Sequence, residues 1–226
     1  MKFWIYLLVF FGIFIIQPFA DASLKEIERL EKALDDNPHD MKLLKSLGIQ
    51  FHDLTASGNL DGARDAVRFL EEAYNLDMDP ETKCWLGSAW TLVSRDSSNP
   101  IVKLDAIAKG LKMIDEAAEE VDKAPEIYIV PFIRIQNSYE LPEEFSRREL
   151  VDRDFQFLLI TYKRTPKVIE DLFDPGEIFL FKGLYLLRDN KVKLAYKFWK
   201  AGYSAAKTDR VRNAIRENMQ GIEGDS

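Results

Sequence analysis

Apolar residues recur at helical intervals soon after the N-terminus of the chain. The stretch SLKEIERLEKALDDNP, residues 23–38, places Leu24, Ile27, Leu30 and Leu34 three or four residues apart. That interval puts all four side chains on one face of an α-helix. The stretch ends in Asp-Asp-Asn-Pro, which is a stop signal for a helix. The segment therefore predicts an amphipathic helix with one buried face.

Further segments show the same periodicity, and turn sequences rich in Pro, Gly, Ser, Asn and Asp separate them. They cover residues 40–54, 61–77, 80–95, 101–121, 129–140, 146–163, 174–189, 191–206 and 208–220. No segment alternates as a strand would, although EIYIV at 126–130 comes closest. Pro131 follows it and fits the first turn of a helix. The chain is therefore predicted to be all-α, with antiparallel helices joined mostly by short loops.

Three predicted hairpins share an order of small and large residues. Their second helices carry a small, a large and a small residue at steps of four and three: Ala66, Leu70 and Ala73; Gly110, Ile114 and Ala117; Ala195, Trp199 and Gly202. Each first helix carries a glycine, at Gly48, Gly87 or Gly183. Small residues on both helices let the two backbones approach closely. The spacing therefore predicts packing, with Trp199 as a core residue between hairpins and Gly183 as a contact point.

This spacing resembles the tetratricopeptide repeat, a helix-turn-helix of about 34 residues. The last unit keeps the family's twelve residues from Gly183 to Ala195, whereas the corresponding spacings in the first two units are eighteen and twenty-three. The third unit keeps only large positions such as Phe155 and Leu158. An unrelated antiparallel bundle is the alternative, since Gly and Ala are common at helix crossings.

The resemblance implies a right-handed solenoid of about four helical hairpins with a capping helix at each end. The repeat domain would span residues 23–220, and the last six residues would form a flexible tail. The units are expected near residues 40–79, 80–124, 125–166 and 174–207, followed by a capping helix at 208–220.

In this family the first helices line a concave groove that often takes peptides. Carried over by spacing, the groove-facing residues would be Lys42, Lys45, His52, Glu81, Ser88, Thr91, Arg134 and Asn137. This set is polar and of both signs, unlike the family's clamps for C-terminal carboxylates, so that specificity is not expected here.

The most polar stretch, residues 134–155, allows a functional or a structural interpretation. Arginine forks bind carboxylate or phosphate bidentately, so the stretch could hold an acidic group. Alternatively, Arg147 and Arg148 pair with Asp152 and with Glu143 or Glu144 and fix a long loop. The structural interpretation is favoured.

Charge is unevenly distributed along the chain. The formal net charge is −7, which argues against a general nucleic-acid binder. Residues 182–217 nevertheless hold ten Lys or Arg against three Asp or Glu. The predicted patch for an anionic partner, such as lipid head groups or an acidic protein, is Lys193, Lys197, Lys200, Arg210 and Arg212. Val211 and Ile215 are expected to pack inward from the capping helix. A merely solvated helix face is the alternative.

The N-terminus has the form of a signal peptide. Lys2 precedes fourteen apolar residues, Phe3 to Ile16, which are too few to span a bilayer comfortably. Pro18 and the motif Ala20-Asp21-Ala22 follow. The expectation is cleavage after residue 22 and export to the periplasm or the extracellular space. An uncleaved N-terminal membrane anchor is the alternative.

Sequence motifs for catalysis are absent. The chain has no P-loop, no G-x-G-x-x-G, no H-E-x-x-H and no G-x-S-x-G. His39 and His52 lack partners at ligand spacing, so no metal and no cofactor is expected. Cys84 is the only cysteine, which excludes an intramolecular disulfide and predicts a buried, inert thiol. The chain is therefore predicted not to be an enzyme.

The leading functional hypothesis is an exported module that binds a protein or peptide without catalysis. One alternative is a small-ligand carrier in which the loops at 55–60 and 95–100 close a pocket. A remote alternative is a hydrolase with an acidic site, which would require two carboxylates to converge in a deep pocket. The partner and the oligomeric state do not follow from the residues.

We expect the exported protein to begin at Ser23, because the Ala-x-Ala form ends at Ala22 and is what a signal peptidase reads. Intact-mass analysis of exported protein measures the start directly. A mass that still includes Met1 to Ala22 would contradict cleavage and support the anchor.

Overall fold

The computed structural model describes residues 19–58, 61–121 and 125–224. The all-α prediction is confirmed, since the described residues form eleven α-helices and no strand. The helices are α1 Phe19–Asp36, α2 Met41–Ala56, α3 Ala63–Asp77, α4 Pro80–Asp96, α5 Pro100–Glu120, α6 Glu126–Ser138, α7 Arg148–Arg164, α8 Pro166–Glu170, α9 Pro175–Arg188, α10 Val192–Ala205 and α11 Asp209–Gly224.

Short polar side chains fix where several helices begin. Asp40 accepts hydrogen bonds from the backbone amides of Lys42 and Leu43 at the start of α2. Asp79, Asn99 and Asp174 cap α4, α5 and α9 in the same way, and a proline follows each of them. A side-chain oxygen satisfies an amide that has no partner within the helix, and proline at the first position loses no bond. These starts could be predicted from the sequence.

Some boundaries differ from the predicted ones. α6 begins at Glu126 and includes EIYIV as well as Pro131, so this stretch is helical throughout. A short extra helix, α8, follows the turn at Thr165. α11 continues to Gly224, beyond the expected end at residue 220, and takes up most of the expected tail. The apolar segment 3–16 lies outside the described residues, and Ala20 to Ala22 lie in the first turn of α1.

The helices pack in chain order and also in a second row. Contacts join α1 to α2, α2 to α3, α3 to α4, α4 to α5, α5 to α6, α6 to α7, α7 to α8, α9 to α10 and α10 to α11. A second set joins α2 to α4, α4 to α6, α6 to α9 and α9 to α11. The first helix of each hairpin thus contacts the first helix of the next, and the core forms local clusters along the chain.

Close helix approach occurs at the three predicted glycines. A Cβ on Gly87 would lie 2.7 Å from the carbonyl oxygen of Gly110, so α4 and α5 meet backbone to backbone. Gly48 faces Leu70 in the first hairpin, and Gly183 faces the Trp199 ring in the last. All three glycines are packing contacts, as predicted, but only Gly87 meets another small residue, whereas Gly48 and Gly183 make room for a large side chain.

The last hairpin has a core closed by α11. Trp199 is fully buried, and its Nε1 donates to the carbonyl oxygen of Leu180 at 3.1 Å. Val211 and Ile215 of α11 are buried in the same cluster. The core role of Trp199 and the inward packing of Val211 and Ile215 are therefore confirmed, although Trp199 packs within the last hairpin and against α11 and not between hairpins.

Gly183→Ala is expected to lower the free energy of unfolding by about 1–3 kcal/mol, because the new methyl group would overlap the buried Trp199 ring. Urea denaturation followed by circular dichroism measures this change.

The matched control is Gly221→Ala in α11. A Cβ there meets no atom within 4 Å. Alanine should therefore stabilise the helix by up to about 1 kcal/mol. Equal effects of the two substitutions would show that the space around Gly183 is not limiting.

Candidate functional site

The residues predicted to line the first-helix groove largely bond to one another. Lys45 Nζ of α2 lies 3.0 Å from Asp79 Oδ2 and 2.9 Å from Glu81 Oε2. Burial disfavours the Lys45 ammonium, but the bonds and charges of Glu81 and Asp79 outweigh it, and the pKa of Lys45 is raised. Lys42 stays exposed. Lys45 and Glu81 therefore tie α2 to α4.

Asp79 is held in its charged form by several donors. Its Oδ2 accepts hydrogen bonds from the Thr82 amide at 2.9 Å and the Thr82 hydroxyl at 2.7 Å, besides Lys45. Burial alone would raise the pKa of Asp79, but these hydrogen bonds outweigh it and the pKa is lowered. The Lys45 contact thus uses a carboxylate that also caps α4.

A second network joins α2, α4 and α6. His52 Nε2 lies 2.8 Å from Ser88 Oγ, and Asn137 Nδ2 donates to the same Oγ at 3.0 Å. Thr91 Oγ1 donates to Asn137 Oδ1 at 2.6 Å. Four of the eight predicted groove residues therefore meet in one cluster. They lie on three different helices, which is why only the folded chain brings them together.

The order Asp53–His52–Ser88 has the connectivity of a catalytic triad. Asp53 Oδ1 lies 2.9 Å from His52 Nδ1. A carboxylate only accepts, so Nδ1 carries a proton, and in the neutral ring Nε2 then accepts from the Ser88 hydroxyl. Ser88 is 2 % exposed, however, and Asn137 occupies its oxygen from the other side. A substrate carbonyl has no room at this oxygen, so the arrangement braces helices.

Cys84, one turn before Ser88 on α4, is fully buried. Burial raises the pKa of its thiol far above the usual value, so the thiolate that acts as a nucleophile does not form. The prediction of a buried, inert thiol agrees with this placement.

The polar stretch 134–155 forms a buried ion cluster. Arg134 binds Asp154 through two bonds, 2.6 and 2.7 Å long, and both side chains are buried. Burial disfavours the charge on Arg134, yet the hydrogen bonds of Asp154 outweigh it and the pKa of Arg134 is raised. Arg134 is therefore a structural residue with no face toward a ligand, which corrects its place among the groove candidates.

The structural interpretation of Arg147 and Arg148 holds, but of the predicted partners only Glu143 is found, at Arg148. Arg147 binds Asp115 of α5 through two bonds, at 2.5 and 2.7 Å, instead of Asp152. Arg148 contacts Glu143 at 3.4 Å and also Asp189. Asp152 instead accepts from Lys182 at 3.1 Å and from the Tyr185 hydroxyl at 3.2 Å. The sequence showed the charges, but the choice of partner depends on how distant helices pack.

The predicted basic patch divides into paired and unpaired residues. Arg210 contacts Glu177 of α9, and Arg212 binds Asp209 at 3.0 Å and the carbonyl oxygen of Ala206 at 2.8 Å. Lys193, Lys197 and Lys200 are exposed on α10. The five residues therefore do not form one equivalent surface.

The two loops expected to close a ligand pocket are tied directly to each other. Arg95, at the end of α4, donates to the carbonyl oxygen of Thr55 at 2.8 Å and to that of Ala56 at 3.4 Å. Residues 59 and 60 of the first loop lie outside the described residues. This contact brings the ends of α2 and α4 together.

An open groove lies along the exposed side of α3, where no residue was predicted to bind. The α3–α4 groove has a volume of about 440 Å³ and is lined by Arg64, Val67, Arg68, Glu71, Glu72 and Asn75 of α3 and by Trp90 and Val93 of α4. Trp90 lies three residues after Gly87 on α4. The signal available in the sequence was the run of charged residues on one face of α3.

Trp90 has an unusual environment in this groove. Its Nε1 is buried and has no hydrogen-bond partner among the described residues. The Lys109 ammonium of α5 lies 3.8 Å from the centre of its ring, a cation–π contact. Buried indole N–H groups usually have an acceptor. Among the described residues that line the groove, only Trp90 therefore has a buried polar group without a hydrogen-bond partner.

No protein-family model, no curated protein and no solved structure matches this chain. In the described part of the chain, no group of His, Cys, Asp and Glu could hold a metal ion. The resemblance to tetratricopeptide repeats therefore rests on the helix spacing alone.

Ser88→Ala is expected to lower the free energy of unfolding by about 1–3 kcal/mol, since His52 Nε2 and Asn137 Nδ2 would each lose a buried partner. Thermal or urea unfolding measures this. Ser46→Ala is the matched control, because Ser46 is exposed in the middle of α2 and should change stability by less than about 0.5 kcal/mol.

The same two variants distinguish a structural role of Ser88 from a catalytic one. Labelling with a fluorophosphonate probe should fail in the wild type because Ser88 Oγ is buried. Labelling that disappears in Ser88→Ala while stability stays unchanged would instead establish Ser88 as a nucleophile.

Proposed function

We propose that this chain is a non-catalytic interaction module that binds a peptide segment of another protein. Its hairpins are proposed to stack as a right-handed, tetratricopeptide-like solenoid, with α1 and α11 as the caps. Support comes from the second row of contacts, α2 to α4 to α6 to α9 to α11, since each repeat of a solenoid contacts its neighbours. α11 supports the cap, because it buries Val211 and Ile215 and leaves Asn213 and Glu217 exposed.

The observation that carries the proposal is the α3–α4 groove. On the first-helix face, Lys45 is already bonded to Glu81, and His52, Ser88 and Asn137 are bonded to one another. A ligand that bound there would have to break those bonds, and each broken bond would leave a buried polar group without a partner. The α3–α4 groove has no such internal competition on its floor. The proposed binding surface therefore moves from the first helices to α3.

The chemistry of the groove suits a peptide. The half-buried Trp90 supplies apolar surface beside the buried Val67 and Val93. Arg64 and Glu71 on the exposed side of α3 offer charges of both signs to polar side chains. Tryptophan and arginine are the residues most enriched at binding hot spots. A volume of about 440 Å³ lies in the range of small binding sites.

Export places the proposed module in the cell envelope or outside the cell. This part of the proposal rests on the N-terminal sequence, with its apolar segment 3–16 and the motif ending at Ala22. Among the helices of residues 19–58, 61–121 and 125–224, none is long and apolar enough to cross a membrane.

Peptides selected from a random displayed library against the protein should lose affinity about tenfold in Trp90→Ala, which removes the accessible indole surface of the groove. Arg64→Glu should weaken the binding of peptides that carry an acidic residue. Fluorescence anisotropy of the labelled peptides measures both effects.

Lys42→Glu is the matched control, because Lys42 is an exposed cation on the first-helix face. Peptides that are sensitive to Lys42→Glu and indifferent to the α3–α4 groove variants would place the site on the first helices. A library that enriches no peptide would count against the proposed function.

A further inference from the structure

α10 carries a stripe of lysines that no acidic side chain neutralises. Lys193, Lys197 and Lys200 follow one another at steps of four and three, which places them on one face of the helix. α10 contains no Asp or Glu, and within the described residues none of the three lysines takes part in an ion pair. The stripe covers about 10 Å along the helix, close to the screening length at physiological salt. The three charges therefore act together.

Most of the neighbouring cations are neutralised. Four of them have acidic partners, namely Lys191 with Asp189, Lys207 with Glu170, Arg210 with Glu177 and Arg212 with Asp209. The local positive field is therefore concentrated on α10 and is not spread over the whole basic segment. This contrast could not be seen in the sequence, because the partners lie on other helices.

Apolar and aromatic side chains are interleaved with the lysines. Leu194 and Tyr203 are 42 % and 38 % exposed, and each lies three residues from a lysine of the stripe. Arg216 of α11 donates to the Tyr203 hydroxyl at 3.2 Å and adds a further cation beside the stripe. On the opposite side of α10, Ala195 and Trp199 are buried. The lysines therefore have no inward position available.

We propose that this face of α10 binds the surface of an anionic lipid bilayer. Lysine ammonium groups on flexible stems reach lipid phosphates, while Leu194 and Tyr203 enter the interfacial layer. Protein interfaces are enriched in arginine and depleted in lysine, and a stripe of lysines alone fits a fluid head-group layer better than a fixed acidic protein surface. Membrane contact of this kind is peripheral and salt-dependent.

This membrane surface shares no residue with the α3–α4 groove. Peptide binding along α3 and bilayer binding along α10 can therefore succeed or fail separately, and each has its own variants.

The test is vesicle sedimentation of the full chain with two compositions, pure phosphatidylcholine and phosphatidylcholine with roughly one-third phosphatidylglycerol. The wild type should bind the anionic vesicles more strongly, and the difference should disappear near 1 M salt, where screening extends over only about 3 Å. Lys193→Glu/Lys197→Glu/Lys200→Glu should weaken anionic binding by roughly 100-fold, at about fivefold per lysine removed. Leu194→Ser should weaken it less, and its effect should persist at high salt.

The matched control is Lys25→Glu/Lys32→Glu/Lys42→Glu, which changes net charge equally by reversing exposed lysines on α1 and α2. It should retain the preference for anionic vesicles, and both triple variants should keep the wild-type unfolding midpoint. Equal losses in the two triple variants would show only a net-charge effect.

Two further results would overturn the proposal. Binding that is equal for neutral and anionic vesicles and indifferent to salt would come from the apolar segment 3–16. Binding to an acidic protein in the absence of binding to anionic vesicles would assign the α10 stripe to a protein partner.

Discussion

The backbones of α4 and α5 meet where Gly87 faces Gly110. A Cβ on either residue would come within 2.7 Å of the other residue's carbonyl oxygen. This approach brings Ile114 and Cys84 into one buried cluster with residues of α6. It also places Asp115 of α5 where Arg147 can reach it. Side-chain contacts across the centre of the molecule thus depend on two residues that have no side chain.

The polar side chains between α2, α4 and α6 hold these helices together, because their hydrogen-bonding groups already have partners within the fold. His52 is bonded at both ring nitrogens, and Asn137 uses its amide nitrogen and its oxygen. Such a network fixes the relative positions of α2, α4 and α6, and it leaves little capacity for a ligand. The triad-like order at Ser88 illustrates this, because the Ser88 oxygen is buried and bonded from two sides.

Charge is distributed differently in the two halves of the chain. In the N-terminal half, Lys45 and Lys83 lie among carboxylates of neighbouring helices. Near the C-terminus, Lys191, Lys207, Arg210 and Arg212 are paired with acidic residues, whereas Lys193, Lys197 and Lys200 on the exposed face of α10 have no acidic partner among the described residues. The last hairpin thus combines a core closed by α11 with an outer face suited to an anionic surface.

The sequence by itself determined the helical class, the main helix starts and the core stripe of the last hairpin. These features depend on local periodicity, caps such as Asp40 and Asp174, and small residues such as Gly183, all of which act within a few residues. Much of the site could not be derived in this way. The partners of Arg147 and the closure around Ser88 depend on side chains 30 or more residues apart, and the open groove beside Trp90 depends on how α3 packs against α4. Only tertiary packing decides which polar groups are already satisfied, because hydrogen bonds are exclusive and a donor used inside the fold is not free to bind a partner.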